Sequence, residues 1–317
     1  MLTSTAAPAP VRTARTSRPS YRPFAVTVAG IRRLSDTFTR VTFTGPELHD
    51  FSTVGLDQRV KIMLPLPGVG ISELPENESW YEAWRKLPDT RRNPIRTYTV
   101  RAVRPAAREI DIDFVAHGDT GPASRWVRRA AIGDPLTVVG PDAHGENPAS
   151  GVEWRPGNAR NVLLAGDETA APAICAILAA LPRDSRGCAF IEVPSDGDVM
   201  HTGAPEGVEV TWLTRAQAEA DAKAAHGSAL ESAVRTWTTR YIANRHAGAE
   251  VADVDIEHDI LWDVPESSAK GSDLYAWLAG EAGVIKTLRR FLVSETGIDR
   301  KQVAFMGYWR HGRAEAN

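Results

Sequence analysis

The pattern of apolar residues changes at about residue 142, and this change constrains the fold more than any other feature of the sequence. Before it, short runs such as Glu109–Val115 alternate apolar and polar residues and are separated by turns. Such runs predict antiparallel strands, and several in succession predict a small barrel. After residue 160, apolar runs such as Asn161–Gly166 alternate with Ala-rich helical stretches. This second pattern predicts a parallel sheet covered by helices.

The chain has 317 residues, which is long enough for two domains. We predict a two-domain β plus α/β protein, in which an N-terminal antiparallel β-barrel precedes a parallel α/β domain of the nucleotide-binding type. The start of the chain has no acidic residue and no apolar core of a secretory signal, so we expect it to be disordered. The predicted parts are a disordered extension over residues 1–21, the barrel over 22–141, a linker over 142–160, and the α/β domain over 161–317 with a helical insertion at about 216–259.

Charge and cysteine content exclude several classes of function. The net charge of −3 gives no support for a nucleic-acid-binding surface. Cys175 and Cys188 are the only cysteines, which rules out a cysteine-ligated iron–sulfur cluster or a Cys-rich zinc site within the chain, and we expect no metal. No apolar run approaches the length of a membrane span. We therefore expect a cytoplasmic protein without a membrane partner.

The stretch Arg96–Arg101 places a cation, an aromatic ring and hydroxyl groups along one predicted strand. Alternation puts Arg96 and Tyr98 on one face and Thr99 on the other, and strand twist lets neighbouring side chains reach the same ligand. A flat cofactor that carries phosphates, such as a flavin, needs an aromatic ring to stack on, a hydroxyl donor and a guanidinium. Taken alone, the stretch also fits an edge strand with a solvated polar face.

A glycine-containing turn follows about twenty residues later, where the strand ending at His117 leads into Gly121-Pro122-Ala123-Ser124. Glycine lets the backbone approach a ligand closely, Pro122 favours a helix start, and Ser124 adds a hydroxyl beside the free N–H groups of that helix start. Such a helix start suits a diphosphate, although an ordinary capped helix is the alternative. The two stretches together favour a flavin site more strongly than either does alone.

On five motifs that occur in the same order, the chain resembles the siderophore-interacting protein family. Members of this family are flavin-dependent ferric-siderophore reductases within the ferredoxin–NADP reductase superfamily. The resemblance covers nearly the whole chain after the N-terminal extension. The motifs are Arg96-Thr-Tyr-Thr99, Asp113–Gly118 with Gly121–Trp126, Ala165–Ile174, Tyr275–Glu281, and Gly307–Arg310.

The resemblance implies that the barrel holds FAD and that NADH or NADPH donates electrons at the second domain. No residue is expected to act as a catalytic acid or base, because the electrons pass through FAD. The acids Asp167 and Glu168 would repel phosphate, so a protein donor such as ferredoxin remains an alternative. Glu281 also fits an ordinary strand-to-helix turn, and Trp309 also fits a core aromatic. The implied cofactor-binding residues are Arg96, Tyr98, Thr99, Asp113, Val115, His117, Gly121, Ala123 and Ser124 for FAD, and Asp167, Thr169, Ala170, Glu281 and Trp309 around the nicotinamide.

The resemblance also implies a ferric siderophore as the substrate and basic residues that attract it. Lys61 matches one such position, and Arg310 is a second candidate, although both also fit solvated surface charges. Many relatives carry a basic residue after Gly140-Pro141, where this chain has Asp142. This departure argues against a tri-anionic catecholate and leaves hydroxamate or mixed ligands open. Two alternatives to a siderophore reductase are a non-catalytic ferric-siderophore binding protein and a flavin reductase with another acceptor.

Overall fold

The structure is a computed structural model and describes residues 18–75, 77, 79–116, 121–215, 225–243, 256, 260–265 and 273–312. The predicted contact His117, the extension up to residue 17 and most of the stretch 216–259 lie outside these residues. None of the helices in the described ranges is long and apolar enough to cross a membrane.

Six antiparallel strands close into the N-terminal barrel, as the alternating pattern predicts. Apolar side chains that point inward, including Phe24, Phe43 and Phe114, form its core. The strands are β1 (Tyr21–Arg33), β2 (Phe38–Thr44), β3 (Arg59–Met63), β4 (Ile95–Arg104), β5 (Glu109–Val115) and β6 (Pro135–Pro141). Their order around the barrel is β1-β2-β5-β4-β3-β6, and β6 pairs with β1 to complete the ring.

The first strand begins at Tyr21, earlier than the apolar run at Phe24 indicates, because it continues to pair with the end of β6. At this point the Arg22 side chain donates from Nε to the carboxylate of Asp142 at 2.7 Å and also contacts Glu47. Both Arg22 and Asp142 are buried. The ion pair therefore ties the start of the barrel to the segment that leaves it.

The second domain is built on a six-stranded sheet with the order β10-β12-β11-β7-β8-β9. Its strands are β7 (Asn161–Gly166), β8 (Arg186–Val193), β9 (Val208–Thr214), β10 (Trp262–Asp263), β11 (Leu274–Glu281) and β12 (Val303–Trp309). All neighbouring pairs are parallel except β10 with β12. The side chains that follow β7, β9 and β11 therefore meet at one edge of the sheet, which is where open α/β sheets bind ligands.

Five α-helices surround these sheets in the described ranges: α1 (Trp80–Lys86), α2 (Pro122–Val127), α3 (Ala171–Ala180), α4 (Ser228–Ile242) and α5 (Ala282–Arg289). Helix α3 is apolar on all sides, and its residues from Ala171 to Leu178 are buried. It shares one hydrophobic cluster with Phe38 and Val115 of the barrel and with the sheet. Helix α3 thus lies between the two domains. Helix α4 begins after Gly227, which has φ +84°.

The segment 142–160 contains no helix or strand, yet it is packed into the protein. Val152, Trp154 and Ala159 are buried in the cluster that α3 shares with the sheet. Asp57, in the loop before β3, accepts hydrogen bonds from the backbone N–H groups of Glu153 and Trp154. Composition alone predicts a loose linker, but buried apolar side chains fix this segment between the domains. The domain boundaries on either side of it stay predictions.

Candidate functional site

The predicted flavin strand is β4, which pairs with β3 on one side and β5 on the other. Arg96 and Tyr98 are half-buried, whereas Thr99 is buried. The Arg96 guanidinium donates to the carbonyl of Ile95 at 2.7 Å, so it lies along the strand. A guanidinium, a phenol ring and a hydroxyl therefore occur within four residues of one rigid strand.

Aromatic rings connect β4 with the predicted diphosphate turn. The ring centroids of Tyr98 and Phe114 are 4.5 Å apart, and those of Phe114 and Trp126 are 5.4 Å apart. Since Phe114 belongs to β5 and Trp126 to α2, this row connects α2 to β4 through β5. The structure thus brings together the two stretches that the sequence indicates for a flavin.

The buried side chains of Asp113 and Val115 hold β5 in place beside β4. The fully buried carboxylate of Asp113 accepts from Arg40 at 2.6 and 2.8 Å, and the Arg101 guanidinium lies 3.9 Å from it. Val115 packs in the cluster that joins the barrel to α3. Both side chains therefore hold β5 in place, and any contact with FAD would come from the backbone at these positions.

Gly121 directly precedes α2, and its surroundings are open. Pro122 occupies the first turn of the helix, and a Cβ atom added at Gly121 would meet no atom within 4 Å. Ala123 and Ser124 are buried. An open backbone, a buried hydroxyl and the cation and ring of β4 are groups that FAD requires, so the residues fit this cofactor. Their assignment as FAD contacts stays a prediction.

Asp167 joins the carboxyl ends of three strands. Its Oδ1 atom accepts from the N–H of Thr169 at 2.9 Å and from the Thr169 hydroxyl. Its Oδ2 atom accepts from the N–H of Glu281 at 2.9 Å and from Nε1 of Trp309 at 2.7 Å. Burial and the neighbouring Glu168 charge raise the pKa of this carboxyl. Asp167 therefore acts as a cross-link between the ends of β7, β11 and β12.

Glu168 forms a second cluster at the same edge. Arg215, which follows β9, donates to both Glu168 carboxylate oxygens at 2.7 and 2.8 Å, and it lies 3.3 Å from Glu192 of β8. The ring nitrogen Nε2 of His226 lies 3.9 Å from both Asp167 and Glu168. Burial opposes ionisation of Glu168, but His226 and Arg215 outweigh it and lower its pKa to about 2.

These acids and His226 are close enough for a shared metal ion, because their ligand atoms lie within 4.8 Å of one another. Both Glu168 oxygens already accept from Arg215, however, and both Asp167 oxygens accept hydrogen bonds. Burial lowers the pKa of His226, and the two neighbouring carboxylates raise it by more, so its pKa is raised overall. The cluster thus resembles an internal network of ion pairs more than a metal site.

The other residues predicted around the nicotinamide also lie at this edge. The Glu281 carboxylate accepts from the N–H groups of Gly283 and Val284 at 2.7 and 3.0 Å, so it caps α5, as the alternative reading proposes. Ala170 is buried, and its N–H donates to the Asp167 carbonyl at 3.0 Å. Trp309 is half-buried and meets the edge of the His226 ring at a centroid distance of 5.1 Å.

The two predicted substrate cations belong to different domains. Lys61 pairs in register with Thr97 of β4, and its Nζ lies 3.4 Å from the Thr97 hydroxyl. Arg310 follows β12 and donates to the carbonyl of Ile256 at 2.7 Å. Asp142, whose charge appears unfavourable for an anionic ligand in the sequence, is fully buried and neutralised by Arg22. Burial of Asp142 does not supply the basic residue that many relatives carry there, so the argument against a tri-anionic catecholate stays a prediction.

Sequence reasoning missed Arg215, Glu192 and His226 at the sheet edge and Asp57 at the domain contact. A signal existed for Glu192, because it interrupts an apolar strand, and a buried acid needs a partner. Arg215 directly follows β9, so it also occupies the carboxyl end of a parallel strand. His226 and Asp57 carry no such pattern, since distant parts of the chain provide their neighbours.

Comparison with known proteins identifies the family. Residues 27–145 match the siderophore-interacting FAD-binding domain, and residues 159–312 match the siderophore-interacting protein model. An uncharacterised protein of Mycobacterium tuberculosis is 33% identical over 292 residues, which cover 91% of this chain and 90% of that protein. The chain belongs to the siderophore-interacting protein family.

Two further relatives agree with this membership. The ferric vibriobactin reductase of Vibrio cholerae is 29% identical over 283 residues, which cover 89% of this chain and 87% of that protein. The crystal structure of the siderophore-interacting protein SipS from Aeromonas hydrophila has a TM-score of 0.66 at 29% identity and covers 93% of this chain and 94% of its own. The siderophore-interacting family fold, a barrel followed by an α/β domain, is thus confirmed here.

Proposed function

We propose that this chain is an FAD-dependent reductase of ferric siderophores that releases iron as Fe(II). The family membership and the ferric vibriobactin reductase among the relatives support this proposal. The observation that carries it is the register of β3 and β4, which places Lys61 directly opposite Thr97 in the flavin motif. A cation suited to an anionic ferric complex therefore adjoins the groups suited to the redox cofactor.

The residues of the barrel have distinct proposed tasks. Arg96 pairs with the FAD phosphates, Tyr98 stacks on the ring system, and Thr99 donates its hydroxyl near the redox-active nitrogen. When bound, FAD accepts an electron pair and releases the electrons singly, which suits reduction of Fe(III). Lys61, with Arg310 as a second cation, orients the anionic complex against the flavin. No side chain has to transfer a proton, so positioning and charge are the contribution of the protein.

Three electron donors are proposed for the flavin: NADH, NADPH or a ferredoxin. The setting that we propose is the cytoplasm, which suits the two unpaired buried cysteines, Cys175 and Cys188. The proposed partners are the ferric siderophore and the electron donor, without nucleic acid or membrane.

An anaerobic absorbance experiment tests the proposal. The purified protein is reduced with NADH, NADPH or dithionite, and a ferric trihydroxamate or tricatecholate is then added while the flavin band is followed. We expect a flavin band that bleaches on reduction and recovers on the ferric chelate. Recovery with oxygen alone would refute a siderophore reductase, and the absence of a flavin band would refute the cofactor.

Two variants test the proposed roles of Tyr98 in FAD binding and of Lys61 in attraction of the substrate. Tyr98→Ala should purify with less FAD, because it loses the stacking ring. Lys61→Ala should keep FAD but lower the second-order rate of flavin reoxidation by about tenfold at low ionic strength, since it removes electrostatic attraction. Lys301→Ala provides a matched control, because Lys301 is exposed in the second domain. Equal rates for the Lys61 and Lys301 variants would contradict the proposed substrate site.

A further inference from the structure

The first turn of α3 has the position of a dinucleotide phosphate site, but the N–H groups that lead into it already donate to Asp167. The N–H of Thr169 donates to the Asp167 carboxylate at 2.9 Å, and the N–H groups of Ala170 and Ala171 both donate to the Asp167 carbonyl at 3.0 Å. The next residue, Pro172, has no N–H. Donors that usually bind phosphate at a helix start therefore bind Asp167 instead.

The cation at this edge, Arg215, is also already paired with carboxylates of the protein. Arg215 is the basic side chain that follows β9, and its two terminal nitrogens meet the Glu168 oxygens at 2.7 and 2.8 Å. Such a bidentate pair has the geometry that an Arg–phosphate contact would require. Glu192, at 3.3 Å, adds a second carboxylate to the same guanidinium. Arg215 therefore pairs with two protein carboxylates at the place where it could bind a phosphate.

We infer that Asp167 and Glu168 are built-in anions that occupy the positions of a dinucleotide diphosphate and exclude it from this edge. This inference rests on the proposed reductase function, because it concerns the electron donor. A diphosphate would bring its charge to a buried cluster in which the acids outnumber the cations, and it would have to displace Glu168 from Arg215. NADH and NADPH therefore bind weakly at this edge, and the charge of Glu168 raises their Kd.

Glu168 is the appropriate residue to change. Asp167 holds Thr169, Glu281 and Trp309 together, so its replacement would also disturb the sheet edge. Glu168→Gln keeps the shape of the side chain, removes one negative charge and frees part of the Arg215 guanidinium for phosphate. Glu192 still contacts one nitrogen of Arg215 in this variant, which favours normal folding.

The test is isothermal titration of the oxidised, FAD-loaded protein with NADP⁺ and with NAD⁺, which bind without reducing the flavin. We expect a wild-type Kd above about 1 mM and a Kd at least about tenfold lower in Glu168→Gln. The double variant Glu168→Gln with Arg215→Gln should lose this gain, because the cation is removed as well. Glu109→Gln is the matched control, since Glu109 pairs with Arg104 on the barrel at 3.0 Å, away from the sheet edge.

A wild-type Kd below about 10 μM for either nucleotide would overturn the inference, even if the variants failed to fold. Unchanged binding in a folded Glu168→Gln protein would overturn it too, as would equal gains in the Glu109 control. Reoxidation of dithionite-reduced protein by a ferric chelate does not depend on a nicotinamide donor. Its loss would refute the reductase function, whereas the titrations address the exclusion of the dinucleotide alone.

Discussion

Replacement of Asp57 by alanine should remove a buried polar contact that joins the barrel to the segment 142–160 and to the second domain. Asp57 is buried, and its carboxylate accepts from Nε1 of Trp277 at 2.9 Å and from the N–H groups of Trp154 and Glu153 at 3.1 and 3.2 Å. Alanine would leave these three donors buried without an acceptor. Because each unsatisfied buried donor costs about 1–3 kcal/mol, the upper limit of the loss is several kcal/mol.

Part of this loss is offset by the cost of burying Asp57 itself. Burial raises the pKa of Asp57, although hydrogen bonds from Trp277, Trp154 and Glu153 oppose the shift. Removing the carboxylate relieves that burial, so we expect the free energy of unfolding to fall by about 3 kcal/mol. This is a large fraction of the usual total of about 5–15 kcal/mol for a domain. Asp57→Asn, which retains one acceptor oxygen, should lose less than the alanine variant.

Urea unfolding followed by tryptophan fluorescence measures this change, because Trp154 and Trp277 lie at the contact. Asp36→Ala serves as the control, since the Asp36 side chain is 93% exposed and its replacement should change stability by less than about 0.5 kcal/mol. A loss below about 0.5 kcal/mol for Asp57→Ala would refute the reasoning. So would a greater loss for Asp57→Asn than for Asp57→Ala.

Two further changes have defined outcomes. Gly280→Ala should destabilise the protein by about 1–3 kcal/mol in thermal unfolding, because Gly280 has φ +152° and an added Cβ would lie 2.7 Å from the Asp167 carboxylate. Gly30→Ala should be nearly neutral, since its nearest contact would be an ordinary 3.7 Å, and equal losses for both would contradict this account. Burial opposes ionisation of Asp198, but hydrogen bonds from Ser35, Thr37 and Ser195 lower its pKa overall. The Asp198 carboxylate therefore stabilises the fold above the unfolded-state pKa of about 3.9, and this stabilisation is lost as pH falls through the folded-state pKa. Asp198→Asn lacks this carboxylate, so its free energy of unfolding should fall less than that of wild type between pH 7 and pH 2. Unfolding measured across this pH range tests the difference.

The two classes of domain could be predicted because local sequence patterns determine them. Alternation along Glu109–Val115 corresponds to β5. Gly227 marks the start of α4 for a local reason, since its positive φ suits glycine. Features that depend on residues within one element are thus visible in the sequence.

Features that depend on distant neighbours are not visible in this way. The sequence does not show that Asp142 is buried and paired with Arg22, which is far away along the chain. The segment that contains Val152 and Trp154 has the composition of a linker, yet the fold buries both side chains. Charge and composition alone do not identify the partners that tertiary structure provides for these residues.

The acids of the sheet edge also make bonds that bear on the proposed exclusion of a dinucleotide. Asp167 makes four hydrogen bonds, to the backbone and hydroxyl of Thr169, to Glu281 and to Trp309, and a bound phosphate would have to replace all of them. A carboxylate that belongs to the chain satisfies these donors without the entropy cost of binding a free ligand. Asp167 thus bonds the ends of β7, β11 and β12 to one another with groups of the chain alone. This cross-link is the one to which we assign the exclusion of a dinucleotide, so the same four bonds would account both for the joined strand ends and for weak binding of NADH and NADPH.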